Sequence, residues 1–163
     1  MTEKLITDRL KLTPLTVADK DWVENLYGDK DVTAGFGRDA FSHSELLDKM
    51  DQLLNTWQKN GFSQFLVIEK VSGEVTGLGG IRPTGKAGVG EIGYVFRPSW
   101  WGKGIASEAV QAWVHWGLDV LNLDVIIADG VENPASIRVL EKAGFTAIGG
   151  EGKLKNLRLF RDR

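Results

Sequence analysis

Residues 97–109, R-P-S-W-W-G-K-G-I-A-S-E-A, place small residues directly before a segment with the hydrophobic spacing of a helix. Because Gly102, Gly104 and Ala106 carry little or no side chain, an anionic ligand could approach the backbone closely. The first turn of a helix leaves its N–H groups without intrahelical partners, and the helix dipole adds partial positive charge there. The stretch is therefore suited to bind a diphosphate. A tight turn from a strand into a helix would use the same glycines, so the pattern alone leaves both interpretations open.

The loop itself matches neither of two common nucleotide-binding motifs. It has no G-K-[ST] at the spacing of a P-loop, and its glycines do not continue into the G-x-G-x-x-G of dinucleotide-binding folds. A phosphate site here would therefore belong to another class of protein.

Other chemistries lack the residues they need. The chain has no cysteine and two histidines, His43 and His115. The lack of cysteine excludes disulfides and thiolate nucleophiles. The two histidines lie far apart in the sequence, with no carboxylate cluster at ligand spacing, so we expect neither a metal centre nor a Ser-His-Asp triad.

The composition is typical of one globular domain. The 163 residues are 42% hydrophobic and 26% charged, with a net charge of −2, so we expect a single domain over residues 1–163. No block of basic residues favours a nucleic acid or an anionic membrane surface as partner. The N-terminal residues have neither a signal-peptide core nor a membrane-spanning length, which predicts a cytoplasmic location.

Hydrophobic periodicity predicts a mixed α/β chain of the α+β class with a largely antiparallel sheet. Helices are predicted at 19–27, 42–61, 104–122 and 133–144. Strands are predicted at 6–15, 62–70, 74–82, 91–96, 124–131, 145–150 and 154–160. Ser42 with Glu45 has the spacing of a capping box, and Asn133, Pro134 and Gly144 stand where a helix starts and ends best.

Three segments together resemble the acetyl-CoA-binding core of the GNAT N-acetyltransferase superfamily. They are W-G-K-G-I-A at 101–106, E-I-G-Y-V-F-R-P at 91–98 and N-P-A-S-I-R-V-L-E-K-A-G-F at 133–145. Residues 6–32 also look like the N-terminal region of the ribosomal-protein N-acetyltransferase (RimJ/RimL-like) branch. The resemblance implies a central, mostly antiparallel twisted sheet flanked by helices on both faces. It also implies acetyl-CoA as co-substrate, without a metal.

The resemblance assigns cofactor-binding roles to the loop and to the strand before it. Backbone N–H groups would bind the pyrophosphate, Ser107 could add its hydroxyl, and Lys103 would place a charge at the rim. The strand 91–96 would splay from its neighbour near Val95 and Phe96, so that unpaired backbone groups bind the pantetheine arm and polarise the thioester. Asn133 would contact pantetheine while also capping its helix. The loop residues concerned are Gly102, Lys103, Gly104, Ile105, Ala106 and Ser107.

Catalysis would be direct attack of an amine on the thioester in a ternary complex, because no cysteine can carry an acyl group. By resemblance, Glu91 is the candidate base, acting through water, and Ser136 protonates or hydrogen-bonds the departing thiolate. Each has a plainer alternative. Glu91 could be a solvated carboxylate at a strand end, and Ser136 could cap the first turn of its helix.

Two positions depart from the superfamily pattern. Trp101 stands where Gln or Arg is usual, which replaces one phosphate contact by an aromatic wall. Leu140 stands seven residues after Asn133, where many members have a tyrosine that acts as general acid. If this chain needs an acid, another residue must supply it.

The resemblance implies that the acceptor is a primary amine, either a peptide N-terminus or a small molecule, with specificity expected in residues 28–60 and 83–90. A homodimer is compatible with the habit of the family. A catalytically silent acyl-CoA-binding or regulatory module is the alternative function, and the leucine at position 140 is the best argument for it.

Overall fold

A computed structural model describes residues 4–34, 39 and 41–162. Those residues form five α-helices and one eight-stranded sheet. The helices are α1 (Lys20–Tyr27), α2 (Lys30–Ala34), α3 (His43–Asn60), α4 (Ile105–His115) and α5 (Pro134–Lys142). The strands are β1 (Leu5–Ile6), β2 (Leu10–Pro14), β3 (Gln64–Glu69), β4 (Val75–Pro83), β5 (Val89–Phe96), β6 (Val125–Val131), β7 (Thr146–Gly149) and β8 (Lys155–Phe160).

The sheet has the strand order β1-β2-β3-β4-β5-β6-β8-β7. Neighbouring strands are antiparallel except β5 and β6, which run parallel. A parallel pair needs a crossover connection, and α4 supplies it. The prediction of a mixed, mostly antiparallel sheet with helices on both faces is confirmed.

The parallel pair is short and then opens. Pairing covers only Val89–Glu91 of β5 against Val125–Ile127 of β6, although β5 continues to Phe96 and β6 to Val131. On its other edge β5 stays paired with β4 as far as Phe96. A gap therefore opens between the two halves of the sheet beyond Glu91.

Helices cover the two faces of the sheet with separate apolar clusters. On one face α1 and α3 pack over strand residues such as Leu66 and Leu78. On the other face α4 and α5 pack over Phe65, Val67 and Ile81, with Trp113 of α4 fully buried in the centre. Successive side chains of a strand alternate between these faces, so each β5 residue can be assigned to one cluster or the other.

The predicted ends of two helices are confirmed in detail. Ser42 and Glu45 form the reciprocal capping box of α3, and Gly61 ends that helix in the left-handed conformation with φ of 75°. Asn133 caps α5 by accepting a hydrogen bond from the N–H of Ala135 at 2.8 Å.

Two predictions of element boundaries are wrong, and one short helix was missed. The single strand at 6–15 is a hairpin of β1 and β2, because the N–H of Thr7 turns back to the carbonyl of Leu10 at 2.9 Å. The helix at 104–122 stops as an α-helix at His115 and continues as a π-helical turn over Trp116–Val120. The short helix α2 was not predicted. No helix among the described residues is long and apolar enough to cross a membrane.

Candidate active site

The alternation of hydrogen bonds along β5 determines which of its residues turn their backbone groups toward the gap. The N–H of Arg97 donates to the carbonyl of Thr76 at 2.9 Å. The N–H and carbonyl groups of the odd-numbered β5 residues therefore point toward β4. The N–H of Val125 donates to the carbonyl of Gly88 at 3.2 Å, so the even-numbered groups face β6. The register therefore assigns the backbone groups along the gap to Tyr94 and Phe96, and it turns those of Val95 to β4.

Trp101 covers the end of this edge. Its indole Nε1–H donates to the carbonyl of Phe96 at 2.9 Å, while its side chain stays 55% exposed. That contact occupies one of the backbone acceptors of the gap. Trp100 packs partly buried against the α4 cluster, and the ammonium of Lys103 lies 4.9 Å from the centre of its ring.

The loop after Trp101 presents a row of backbone donors. In the described part of the chain, no N–H from Gly102 to Ser107 donates to a protein acceptor. Gly102 and Gly104 adopt left-handed φ angles of 75° and 76°, which side-chain-bearing residues rarely take. These conformations aim consecutive N–H groups outward at the start of α4, the arrangement that binds phosphate groups.

Arg9 fixes the loop to the β1–β2 turn. Its Nη1–H donates to the carbonyl of Lys103 at 2.9 Å, and its Nε–H donates to the Glu108 carboxylate at 2.7 Å. Thr7 donates its hydroxyl to the same carboxylate at 2.5 Å. Partial burial acts to raise the pKa of Glu108, but these hydrogen bonds and the charge of Arg9 outweigh it and leave the pKa below its ordinary value. No local pattern predicts this contact, because Arg9 and Glu108 lie 99 positions apart along the chain.

An open groove of about 500 Å³ runs beside the loop. Gly104 and Ser107 line one side, and Lys142 of α5 brings a positive charge. Ser107 is therefore placed where its hydroxyl can reach a ligand that lies on the loop.

The first turn of α5 stands near the gap. Ser136 is partly buried, and its side chain lies within hydrogen-bonding reach of the Tyr94 hydroxyl. Asn133 is exposed and uses its side-chain oxygen for the helix cap, which leaves its amide N–H groups for another acceptor. Leu140, one helical turn beyond Ser136, is fully buried in the apolar cluster and offers no proton.

Tyr94 connects β5 with α5. Its hydroxyl donates to the main-chain carbonyl of Ser136 at 3.4 Å, and its ring stacks on Trp113 with centroids 6.4 Å apart. Burial raises the pKa of Tyr94 to about 12, against a smaller opposing effect of a hydrogen bond from the Ser136 side chain. We did not predict a role for Tyr94 from the sequence. The feature that could have indicated a role is its place in the strand 91–96, which was expected to separate from its neighbour.

Glu91 lies on the opposite face of the sheet from Tyr94. It is the last β5 residue paired with β6, and strand alternation points its side chain toward α1 and α3. Its carboxylate accepts a hydrogen bond from Arg82 of β4 at 2.5 Å, and the Glu91 side chain is 28% exposed. Glu91 and Ser136 thus approach the gap from different sides, and the predicted base has a cationic partner.

Each of the two histidines contacts one carboxylate. Nδ1 of His43 lies 2.6 Å from Glu24, and Nδ1 of His115 lies 2.7 Å from Asp119. Within residues 4–34, 39 and 41–162, no group of three His, Asp or Glu side chains is arranged to hold a metal ion. Of the segment expected to select the acceptor, residues 35–38 and 40 lie outside the described residues.

Comparison with known proteins identifies the family. The family model described as acetyltransferase (GNAT) domain matches residues 9–146. The chain belongs to the GNAT acetyltransferase family. A Bacillus licheniformis relative named "Uncharacterized N-acetyltransferase p20" is 34% identical over 150 residues, which cover 90% of this chain and 84% of the relative. The protein is thus an acyltransferase of a family that uses acetyl-CoA.

Solved structures share the fold. A GNAT-family acetyltransferase from Bacillus anthracis is 25% identical, with a TM-score of 0.80 over 97% of this chain and 98% of its own. A ribosomal-protein-S5-alanine acetyltransferase from Vibrio fischeri is 19% identical, with a TM-score of 0.82 over 99% and 98% of the two chains. A spermidine N-acetyltransferase from Vibrio cholerae, solved with CoA and spermine, is 20% identical, with a TM-score of 0.77 over 95% and 97%.

Proposed function

We propose that residues 1–163 form one N-acetyltransferase domain that moves the acetyl group of acetyl-CoA to a primary amine by direct attack in a ternary complex. The amine nitrogen forms a bond to the thioester carbonyl carbon, the carbon–sulfur bond breaks, and the nitrogen loses a proton. The products are an N-acetylated amine and CoA.

The gap between β5 and β6 beyond Glu91 is the observation that carries this proposal. Beyond Glu91 the backbone of Tyr94 faces the gap without a strand partner, so it can pair with the amides of an extended pantetheine arm. The row of N–H groups at Gly102–Ser107 follows at the end of the same strand, where the pyrophosphate of that arm would lie.

Residues on the two faces of the sheet have different roles in the proposed reaction. Glu91 faces α1 and α3 and takes the proton of the attacking amine through water, with Arg82 holding its carboxylate in place. Ser136 stands beside Tyr94 in the first turn of α5, and its hydroxyl stabilises the sulfur as it leaves. Asn133 holds the pantetheine arm by its amide N–H groups.

For the acceptor we favour the N-terminal α-amine of a protein, as in the RimJ/RimL-like branch. Support comes from the resemblance of residues 6–32 to that branch and from the fold shared with a ribosomal-protein-S5-alanine acetyltransferase. An α-amine has a pKa near 8, against about 10.4 for a lysine-type amine, so it demands less of the base. A polyamine is the second candidate, because a spermidine N-acetyltransferase shares the fold.

The test is release of CoA thiol from acetyl-CoA with peptides of free N-terminus, spermidine, free amino acids and an aminoglycoside as acceptors. With the active acceptor, Glu91→Gln should lower kcat by about 100-fold or more, the range of general base catalysis. Ser136→Ala should lower it by about 10-fold, the loss of one hydrogen bond to a developing charge. Both variants should keep the calorimetric Kd for acetyl-CoA.

The matched control is Glu74→Gln, an exposed carboxylate in the hairpin between β3 and β4, which should leave turnover unchanged. Absence of acetyl-CoA binding would contradict the proposal as a whole. Binding without turnover on any acceptor would support the silent acyl-CoA-binding module instead.

A further inference from the structure

Tyr94 is the one polar side chain of β5 that the structure places across the gap. Ile92, Tyr94 and Phe96 all point to the α4 and α5 face, but only Tyr94 carries a hydroxyl, and it reaches the first turn of α5. The same residue turns its backbone groups along the gap. Its phenol therefore lies beside the space in which the proposed function places the thioester.

The contact that now holds the hydroxyl is weak enough to be exchanged. At 3.4 Å, the distance from Tyr94 Oη to the Ser136 carbonyl exceeds the 2.5–3.0 Å typical of O–H···O bonds. The ring, in contrast, is fixed by stacking on Trp113 and by packing near Phe96. A ligand in the gap can thus take the hydroxyl without moving the ring.

We infer that the Tyr94 hydroxyl is the hydrogen-bond donor to the sulfur that leaves during acetyl transfer, a catalytic role that rests on the proposed function. As the carbon–sulfur bond breaks, its electron pair goes to sulfur, and the thiolate accepts the hydrogen bond from Tyr94. The amine proton leaves by Glu91 and water. The thiolate takes a proton from solvent when CoA departs, so Tyr94 ends each cycle unchanged.

The protonation state of Tyr94 suits a donor that keeps its proton. Its pKa, raised by burial to about 12, leaves the hydroxyl protonated throughout the neutral range. An ordinary thiol has a pKa near 8.5, so the proton stays on oxygen and the sulfur leaves as a hydrogen-bonded thiolate. Leu140 offers no such group, and the Ser136 hydroxyl is the second donor on this wall.

The experiment titrates the thiol of CoA bound to the wild-type protein and to Tyr94→Phe, using the ultraviolet absorbance of the thiolate. Phenylalanine keeps the ring on Trp113 and removes only the hydroxyl. We expect the bound thiol to titrate about one pH unit lower in the wild type than in the variant, the shift given by one hydrogen bond to a charged group. We expect kcat to fall about 10-fold, with the Kd for CoA below pH 7 unchanged.

Tyr27→Phe is the matched control, because Tyr27 is the other tyrosine of the chain and lies buried on the opposite face of the sheet. It should leave the titration of bound CoA as in the wild type. Equal thiol pKa values in the wild type and Tyr94→Phe would overturn this inference and leave the proposed function standing.

The wild type alone supplies a second measurement. If its bound CoA thiol titrates at the same pH as free CoA, the inference is wrong whether or not the variant folds. If CoA does not bind at all, the proposed function itself fails, which is a distinct result.

Discussion

Asn133 caps its helix in a way that leaves part of its side chain available for a second contact. Its side-chain oxygen caps α5 through the N–H of Ala135, which satisfies one of the donors that every helix start leaves unpaired. Its amide nitrogen is not needed for the cap. The structural role therefore leaves the proposed binding role free, and the two can be separated by substitution.

Asn133→Ser should keep the cap and lose the contact with pantetheine. Serine is about as good an N-cap as asparagine, so the free energy of unfolding should change by less than about 0.5 kcal/mol. Loss of one hydrogen bond should raise the Kd for acetyl-CoA by about 2- to 10-fold. Asn133→Ala, the comparison variant, should also lose about 1 kcal/mol of stability. The binding role is refuted if calorimetry gives both variants the wild-type Kd.

Sequence reasoning found the residues whose role follows from local pattern. The capping boundaries, the glycine loop and Asn133 depend on neighbours within a few positions, and the structure agrees with the predicted elements there. Tyr94 was missed because its significance depends on strand register and on α5, more than forty positions away. Arg9 was missed for the same reason, since its partner Glu108 is distant in sequence.

At the scale of elements, glycine is required in the loop between β5 and α4 by the backbone conformation and not by a lack of room for a side chain. A Cβ on Gly102 would meet no atom within 4 Å, so no clash forces glycine at this position. What requires glycine is the φ of 75°, which lets the N–H groups after it point the same way. A larger residue at position 102 should therefore weaken anion binding by the loop before it disturbs the fold.

Gly102→Ala should weaken acetyl-CoA binding by about 10-fold, because alanine pays about 1–2 kcal/mol to hold a left-handed φ or else rotates the N–H groups away. The control is Gly73→Ala in the β3–β4 hairpin, with a φ of 71° and likewise nothing within 4 Å of its Cβ. Both should lose similar thermal stability, and only the loop variant should lose affinity. Equal affinities in isothermal calorimetry would show that the loop does not bind the cofactor.

Contacts between elements explain why the boundaries of the strand at 6–15 and the helix at 104–122 were predicted wrongly. Alternating apolar residues run through 6–15, but Thr7 turns the backbone and binds Glu108 of α4, so one predicted strand becomes a hairpin. The end of α4 widens into a π-helical turn where Gly117 lies against Ile81 and Ile126. Both changes come from tertiary contacts, which periodicity along the chain does not contain.

At the scale of the whole molecule, the sheet separates two layers of helices, and the gap between β5 and β6 interrupts it. Each face has its own apolar cluster and its own helices, and the short β5–β6 pairing leaves the passage between them. In the proposed mechanism, the amine and the thioester approach from opposite faces and meet at the gap. The proposed direct transfer needs such an arrangement, because both substrates must be bound at the same time.

The two tyrosines, one on each face, make the stability of the whole fold sensitive to alkaline pH. Burial raises the pKa of Tyr94 to about 12 and raises that of Tyr27 further. Above pH 10 the unfolded chain loses these protons while the native chain keeps them, so the free energy of unfolding should fall as pH rises from 10 to 12. The expected slope is about 1.4 kcal/mol per pH unit for each tyrosine, measured by urea unfolding. Tyr94→Phe should remove about half of the tyrosine contribution, and an identical slope in the Tyr27→Phe, Tyr94→Phe double variant would assign the effect to other groups.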